Sequence, residues 1–128
     1  MPNSTIEPDG IAPPAANYAH AVLSERSERM LHTSGVVPIA PDGSVPDGIA
    51  DQARTVWANI STILAGAALA VTDVVSVTTY VVPGQDLAAV MAERDRALGG
   101  HRAASTLVIV PELARREWKM EIAVVAAR

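Results

Sequence analysis

The hydrophobic pattern at the end of the chain predicts two strands. Val-, Ile- and Thr-rich residues fill positions 105–110, and a second apolar run covers 118–127. In the second run the even-numbered positions form one apolar face, and the odd-numbered face is also mostly apolar but carries Glu121. An isolated buried charge is too costly to keep, so this carboxylate should be paired, protonated or functional.

Two segments in the middle of the chain repeat apolar residues at helical spacing. The first has its stripe over 49–64, with Asp47 as the predicted N-cap. The second begins near Asp86 and stops at the glycine pair that starts with Gly99. Between them the Val- and Thr-rich residues 74–82 predict a strand.

The first third of the chain predicts an extended arm followed by three short strands. Residues 1–17 contain four of the nine prolines, which excludes a helix there. The predicted strands cover 18–23, 29–33 and 36–40, separated by polar turns. We therefore expect a single domain over 18–128, preceded by the arm.

The element order β-β-β-α-β-α-β-β predicts an α+β fold. In this fold, a six-stranded mixed sheet is covered by two helices on one face. The opposite face is apolar and has nothing to cover it. A monomer rarely exposes that much apolar area, so we expect the chain to assemble with copies of itself.

Composition narrows the class of protein. The 128 residues are 49% hydrophobic but include no Phe, so the core should consist of small aliphatic side chains. Ten basic residues are scattered among fourteen acidic ones, which argues against a nucleic-acid partner. There is no cysteine, no signal peptide is recognisable, and the longest apolar stretch, 60–71, is too short to span a bilayer. We expect a soluble, cytoplasmic protein with no membrane association.

Metal and serine-nucleophile chemistry find little support in the sequence. His20, His32 and His101 do not have the spacing of a metal site, and Ser34 has no His-Asp arrangement near it. No metal site is predicted.

Seven short segments carry a resemblance to a known family. They are YAHAV (18–22), TSGVVP (33–38), DQARTVWANI (51–60), DVV (73–75), TT (78–79), AST (104–106) and MEI (120–122). Through them the chain, from about Ala15 to Ala127, resembles the RidA/YjgF family, reactive-intermediate imine deaminases once called L-PSP endoribonucleases. The resemblance implies a chorismate-mutase-like subunit and a homotrimer with a pocket at each subunit interface.

The resemblance also implies an activity. Deaminases of this family hydrolyse small 2-imino acids, such as 2-iminopropanoate or 2-iminobutanoate, to the 2-keto acid and ammonia, with no metal or cofactor. Such a reaction needs a cation for the substrate carboxylate, best a guanidinium, and a carboxylate that places the attacking water.

The family's site residues fall on specific positions of this chain. Its glutamate falls on Glu121, its pocket tyrosine on Tyr18, and its serine-glycine turn on Ser34 and Gly35. Its backbone-contact residue falls on Thr106. The resemblance thus implies that Glu121 orients water, while the other four line or contact the substrate.

The family's arginine is displaced in this chain. The motif places it directly before the Ser-Thr pair, where Ala104 stands, and the nearest guanidinium is Arg102. Two residues along a strand keep the same side but move the head by roughly 6 to 7 Å. Met91 also stands where many active members carry asparagine. Under the deaminase hypothesis, the substrate is a small imine or enamine metabolite, and Arg102 holds its anion in a rearranged site.

Several alternatives remain open at this point. Ala104 and Met91 favour a non-catalytic member that binds a small carboxylate or has a regulatory role, and a chaperone-like role is equally compatible with the sequence. Ribonuclease activity is disfavoured by the acidic charge. Glu121 could instead form an ion pair with Arg102, Arg54 or a neighbouring subunit's arginine.

Overall fold

The computed structural model describes residues 2–128, which form two sheets and two helices. The strands are β1 (Asn3–Ile6), β2 (Ala21–Ser24), β3 (Met30–His32), β4 (Val74–Val81), β5 (Ala104–Ile109) and β6 (Met120–Ala127). The helices are α1 (Ile49–Gly66) and α2 (Leu87–Leu98), and a 3-10 turn over Val71–Asp73 leads into β4.

The larger sheet has four strands in the order β3-β6-β4-β5. β6 is antiparallel to both β3 and β4, while β4 and β5 run parallel and are joined by α2. β1 and β2 form a separate antiparallel pair. The predicted α+β fold is confirmed in its two helices and mixed pairing, but the single six-stranded sheet is wrong, because β2 pairs with β1 instead of joining the larger sheet.

The core lies between the larger sheet and the helices. The even-numbered residues of β6 are almost fully buried, as the alternating pattern predicted. They pack with Val77 and Val81 of β4 and with the α1 stripe, which includes Val56, Ile60 and Leu64. Both helices therefore cover one face, and small aliphatic side chains fill the core.

The helix ends differ in how well the sequence predicted them. Asp86 caps α2 by accepting a hydrogen bond from the Ala89 amide at 3.3 Å, and Gly99 ends it with a φ of 59°. The predicted Asp47 cap of α1 is wrong, because Gly48 occupies the N-cap position with no side-chain bond. Asp47 instead offers its backbone carbonyl to the Lys119 ammonium group.

The predicted strand over 36–40 is also wrong. Val36 forms one isolated bridge with Ile122, through backbone bonds of 2.7 and 3.1 Å. Pro38 follows and has no N–H to continue a ladder, so the pairing stops there.

In the arm over 1–17, β1 occupies the proline-free residues before Pro8.

The uncovered side of the larger sheet, here called the open face, carries three rows of side chains across β6, β4 and β5. Strand pairing and alternation place them as Glu121–Tyr80–Val108, then Ala123–Thr78–Thr106, then Val125–Ser76–Ala104. Most of these residues are half-buried or exposed. Glu121 therefore lies on a surface that neither helix covers.

Gln52 is the polar residue that anchors the start of β6. It is fully buried, and its amide group donates to the carbonyls of Pro46 at 2.7 Å and Glu117 at 2.8 Å. Its oxygen accepts from the Lys119 amide at 2.8 Å. One side chain thus ties α1 to the segment that leads into Glu121.

We expect Gln52→Leu to lower the free energy of unfolding by about 3 kcal/mol, because it leaves buried backbone groups without partners. Urea denaturation measures this loss. Gln85→Leu is the matched control, since Gln85 makes only a 3.5 Å bond to Pro83, and it should change stability by less than about 0.5 kcal/mol. Equal effects of the two substitutions would contradict the anchoring role.

Candidate functional site

The carboxylate of Glu121 is half-buried on the open face, in the first row of side chains. β6 positions it, and its direct partner across the ladder is Tyr80 on β4. Within residues 2–128, no side chain donates a hydrogen bond to this carboxylate or forms an ion pair with it. Among these residues, the acid that the sequence singled out therefore has no charged partner.

Gly35 lies directly against that carboxylate. A β-carbon placed on Gly35 would overlap Oε2 of Glu121 and lie 3.0 Å from its Cδ. The Glu121 carboxylate therefore occupies the space that any side chain at position 35 would need. No acceptor within residues 2–128 takes the Gly35 amide hydrogen, so this N–H is free to bind a ligand.

Backbone bonds on both sides hold the turn at Ser34 and Gly35. On one side, the Thr33 amide donates to the Val124 carbonyl at 3.0 Å, and the Val124 amide returns a bond to Thr33 Oγ1 at 2.9 Å. On the other side lies the bridge from Val36 to β6. The three predicted residues Ser34, Gly35 and Glu121, here called the acid group, are therefore brought together by the fold.

A groove of about 610 Å³ opens beside Ser34 and Gly35, and Glu121 is not part of its lining. Its lining combines residues 32–37 with three side chains of α1, namely Asn59, Thr62 and Ile63. Asn59 donates to the Ile39 carbonyl at 2.9 Å and so fixes the wall of the groove. The groove has room for a small molecule next to Gly35.

The other three predicted residues are here called the edge group: Thr106 is on β5, Arg102 lies just before it, and Tyr18 lies before β2, next to a residue that bridges to β5. Tyr18 precedes Ala19, which bridges to Ala104, and its hydroxyl accepts a bond from the Ala15 amide at 3.2 Å. Thr106 is exposed on the open face. Arg102 donates from Nε to Asn17 Oδ1 at 2.9 Å.

Arg102 is half-exposed and lies 3.9 Å from Glu7. Strand spacing and rise place its Cα on the order of 20 Å from that of Glu121, since Arg102 precedes β5 while Glu121 lies level with Val108 near the end of that strand. The acid group and the edge group therefore do not converge within one chain.

Arg54, another candidate partner of Glu121, is engaged elsewhere. It bonds Glu93 at 3.1 Å and Asp51 at 2.6 Å, and Arg96 binds the same Glu93 from the other side. The hydrogen bond from Arg54 holds the pKa of Glu93 below its ordinary value of 4.5. Pairing of Glu121 with Arg54 or Arg102 of its own chain is therefore wrong.

The sequence did not single out Tyr80 as a neighbour of Glu121. Its position in a Val- and Thr-rich strand gave no sign of this, because the register of β4 against β6 is not visible in the pattern.

Among residues 2–128 there is no group of three or more potential metal-binding side chains. In the same residues, no helix is long and apolar enough to cross a membrane.

The fold and the acid group define an α+β protein with a carboxylate on an open sheet face, and comparisons assign its family. The model of the family described as Endoribonuclease L-PSP matches residues 10–128. The chain therefore belongs to this family, the RidA/YjgF family that the sequence resembles.

Individual relatives agree with this assignment. The 2-iminobutanoate/2-iminopropanoate deaminase of Escherichia coli K12 is 35% identical over 102 residues, covering 77% of this chain and 80% of the relative. The structure of the Rid-family protein YyfB from Yersinia pestis superimposes with a TM-score of 0.90 at 30% identity over the full length of both chains. Escherichia coli TdcF with bound serine has a TM-score of 0.73 at 28% identity and 98% coverage of both.

We expect Gly35→Ala to lower the free energy of unfolding by about 1 to 3 kcal/mol, because the new methyl group and the Glu121 carboxylate need the same space. In a Glu121→Ala background, the same substitution should cost much less. Thermal and urea unfolding of the double-mutant cycle measure the difference.

Gly66→Ala is the control for this cycle. Gly66 ends α1 and has open space around it, so alanine there should be neutral or slightly stabilising. An additive cycle for Gly35 and Glu121 would show that the two residues are not in contact.

Proposed function

We propose that this protein is a RidA-like hydrolase that converts small 2-imino acids to 2-keto acids and ammonia. The observation that carries this proposal is the Glu121 carboxylate lying against Gly35, with neither the carboxylate nor the Gly35 amide hydrogen bonded to another group among residues 2–128. A relative with 35% identity is named for the same reaction on 2-iminobutanoate and 2-iminopropanoate.

Glu121 acts as the general base in this proposal. Its carboxylate accepts a proton from water while the water oxygen bonds to the imine carbon and the C=N electron pair moves to nitrogen, which takes up a proton. In the resulting carbinolamine, Glu121 takes the hydroxyl proton and passes it to the amino nitrogen, so that the C–N bond breaks and ammonia leaves as the C=O bond forms. The free amide of Gly35 donates a hydrogen bond to the bound substrate.

The substrate carboxylate needs a cation, and the proposal assigns this role to Arg102. Its Nε is used by Asn17, but the distance of 3.9 Å to Glu7 leaves its other donors open to a ligand. Because Arg102 and Glu121 of one chain lie on the order of 20 Å apart, the two residues meet only if they come from different copies.

A homotrimer with its sites between subunits meets this requirement. The open face carries Tyr80, Val108 and Val125 among small alanine, serine and threonine side chains, and such a mixed face with an apolar part is suited to pack against another copy. In the proposed site, the acid group of one subunit is completed by Tyr18, Arg102 and Thr106 of the next. The serine held by TdcF is an amino acid, which shares with the proposed substrates a carboxylate attached to a carbon that bears nitrogen.

A second candidate function is small-carboxylate binding without turnover. Ala104 stands where the family's arginine belongs, and Arg102 is partly engaged by Asn17. Because of both observations, the site should bind a carboxylate with lower affinity than a site with a preformed bidentate arginine would. Substitution of Glu121 separates the two functions, because only turnover depends on a base.

We expect the purified protein to accelerate the loss of 2-iminobutanoate generated enzymatically in the assay, measured by trapping the remaining imine with semicarbazide. Glu121→Gln should reduce the enzyme-dependent rate at least about 100-fold, because it removes the base while keeping the side-chain shape. Glu112→Gln, at an exposed position in the β5–β6 loop, is the matched control and should retain activity.

The same preparations give the discriminating results. The native mass from light scattering should be three times the 13.4 kDa of one chain. A wild-type rate equal to the buffer blank would reject the deaminase function. If 2-oxobutanoate then bound equally to wild type and Glu121→Gln, the binding function would stand instead.

A further inference from the structure

Tyr80 is the side chain that faces Glu121 most directly. The two residues are partners in the antiparallel ladder between β4 and β6, so their β-carbons lie about 5 Å apart on the same face of the sheet. On the other side of Tyr80, in the same row, is Val108, which is 39% exposed. The first row of the open face is thus a carboxylate followed by an aromatic ring and an aliphatic side chain.

The core does not use Tyr80. Its strand neighbours Thr79 and Val81 are 4% and 0% exposed on the covered face, whereas Tyr80 points the other way and is half-buried. Its hydroxyl makes no hydrogen bond within residues 2–128. A half-buried tyrosine outside the core, whose hydroxyl has no partner among these residues, is available to contact a ligand.

The second row of the open face is small by comparison. Ala123, Thr78 and Thr106 lie beside the first row, one step along the strands. Tyr80 is therefore the largest side chain next to Glu121 on the sheet. The Glu121 carboxylate lies against Gly35 on the β3 side of β6, and Tyr80 flanks Glu121 on the β4 side. A substrate substituent that is directed from Glu121 toward β4 therefore meets the ring of Tyr80.

We propose that Tyr80 is a specificity-determining residue of this site, and that its ring selects 2-imino acids with a bulky apolar side chain over those with a methyl group. This inference rests on the proposed function, which places the substrate at Glu121. The contact is apolar, since the ring and Val108 offer a continuous surface to an isobutyl or benzyl group. In a pocket of this kind, a few methylene groups change kcat/KM by about tenfold or more.

The test compares two substrates in three proteins. The ratio of kcat/KM for 2-imino-4-methylpentanoate to that for 2-iminopropanoate is measured in wild type, Tyr80→Val and Tyr80→Phe. Valine removes the ring but is a good strand former, and phenylalanine keeps the ring without the hydroxyl. We expect the ratio to fall about tenfold in Tyr80→Val and to stay within about twofold in Tyr80→Phe. Thermal melting checks that both variants are folded.

Binding of the two product acids, 4-methyl-2-oxopentanoate and pyruvate, is titrated by NMR in the same proteins. If wild type turns over both imines and Tyr80→Val leaves the rate ratio and the affinity ratio unchanged, the role of Tyr80 is overturned while the deaminase function stands. If there is no turnover but the larger acid binds more weakly to Tyr80→Val, the deaminase function fails and the role of Tyr80 is supported. If neither acid binds to wild type, the role of Tyr80 is overturned.

Discussion

The contact between the Glu121 carboxylate and the backbone of Gly35 is the constraint on which the site depends. The fold secures it from both sides. β6 is central in its sheet and is anchored at its start by buried Gln52, while the turn at Gly35 is bonded to the same strand through Thr33 and Val36. The acid is therefore positioned by rigid backbone elements, as precise chemistry requires.

The sheet has two different faces, and this asymmetry links fold to function. The helices bury the β4 and β6 part of one face, so stability comes from the even-numbered side chains of β6 and their partners in α1 and β4. The open face is then free to carry a charged residue among apolar and small polar ones. Because Arg102 and Glu121 lie far apart in one chain, the proposed chemistry requires the open face and its edges to meet other copies.

The sequence predicted the elements with strong periodicity and missed those decided by tertiary pairing. The alternation in β6 and the stripe of α1 were sufficient to predict the covered core. The predicted strand at 36–40 was wrong because Pro38, which has no N–H, ends the backbone pairing that the apolar composition had suggested. β1 was missed because the prolines around it indicated an irregular arm. The neighbours of Glu121 depend on strand register, which a single sequence does not determine. Gly35 was placed in the site only through the family resemblance, and Tyr80 was not predicted there at all.

The most direct test of the account is a crystal structure of the protein grown with 2-oxobutanoate. The account predicts three copies around a threefold axis, with the ligand's keto group beside Glu121 and Gly35 of one subunit and its carboxylate near Arg102 of the next. A single copy whose open face and Glu121 are in bulk solvent, or a ligand bound away from both residues, would contradict it.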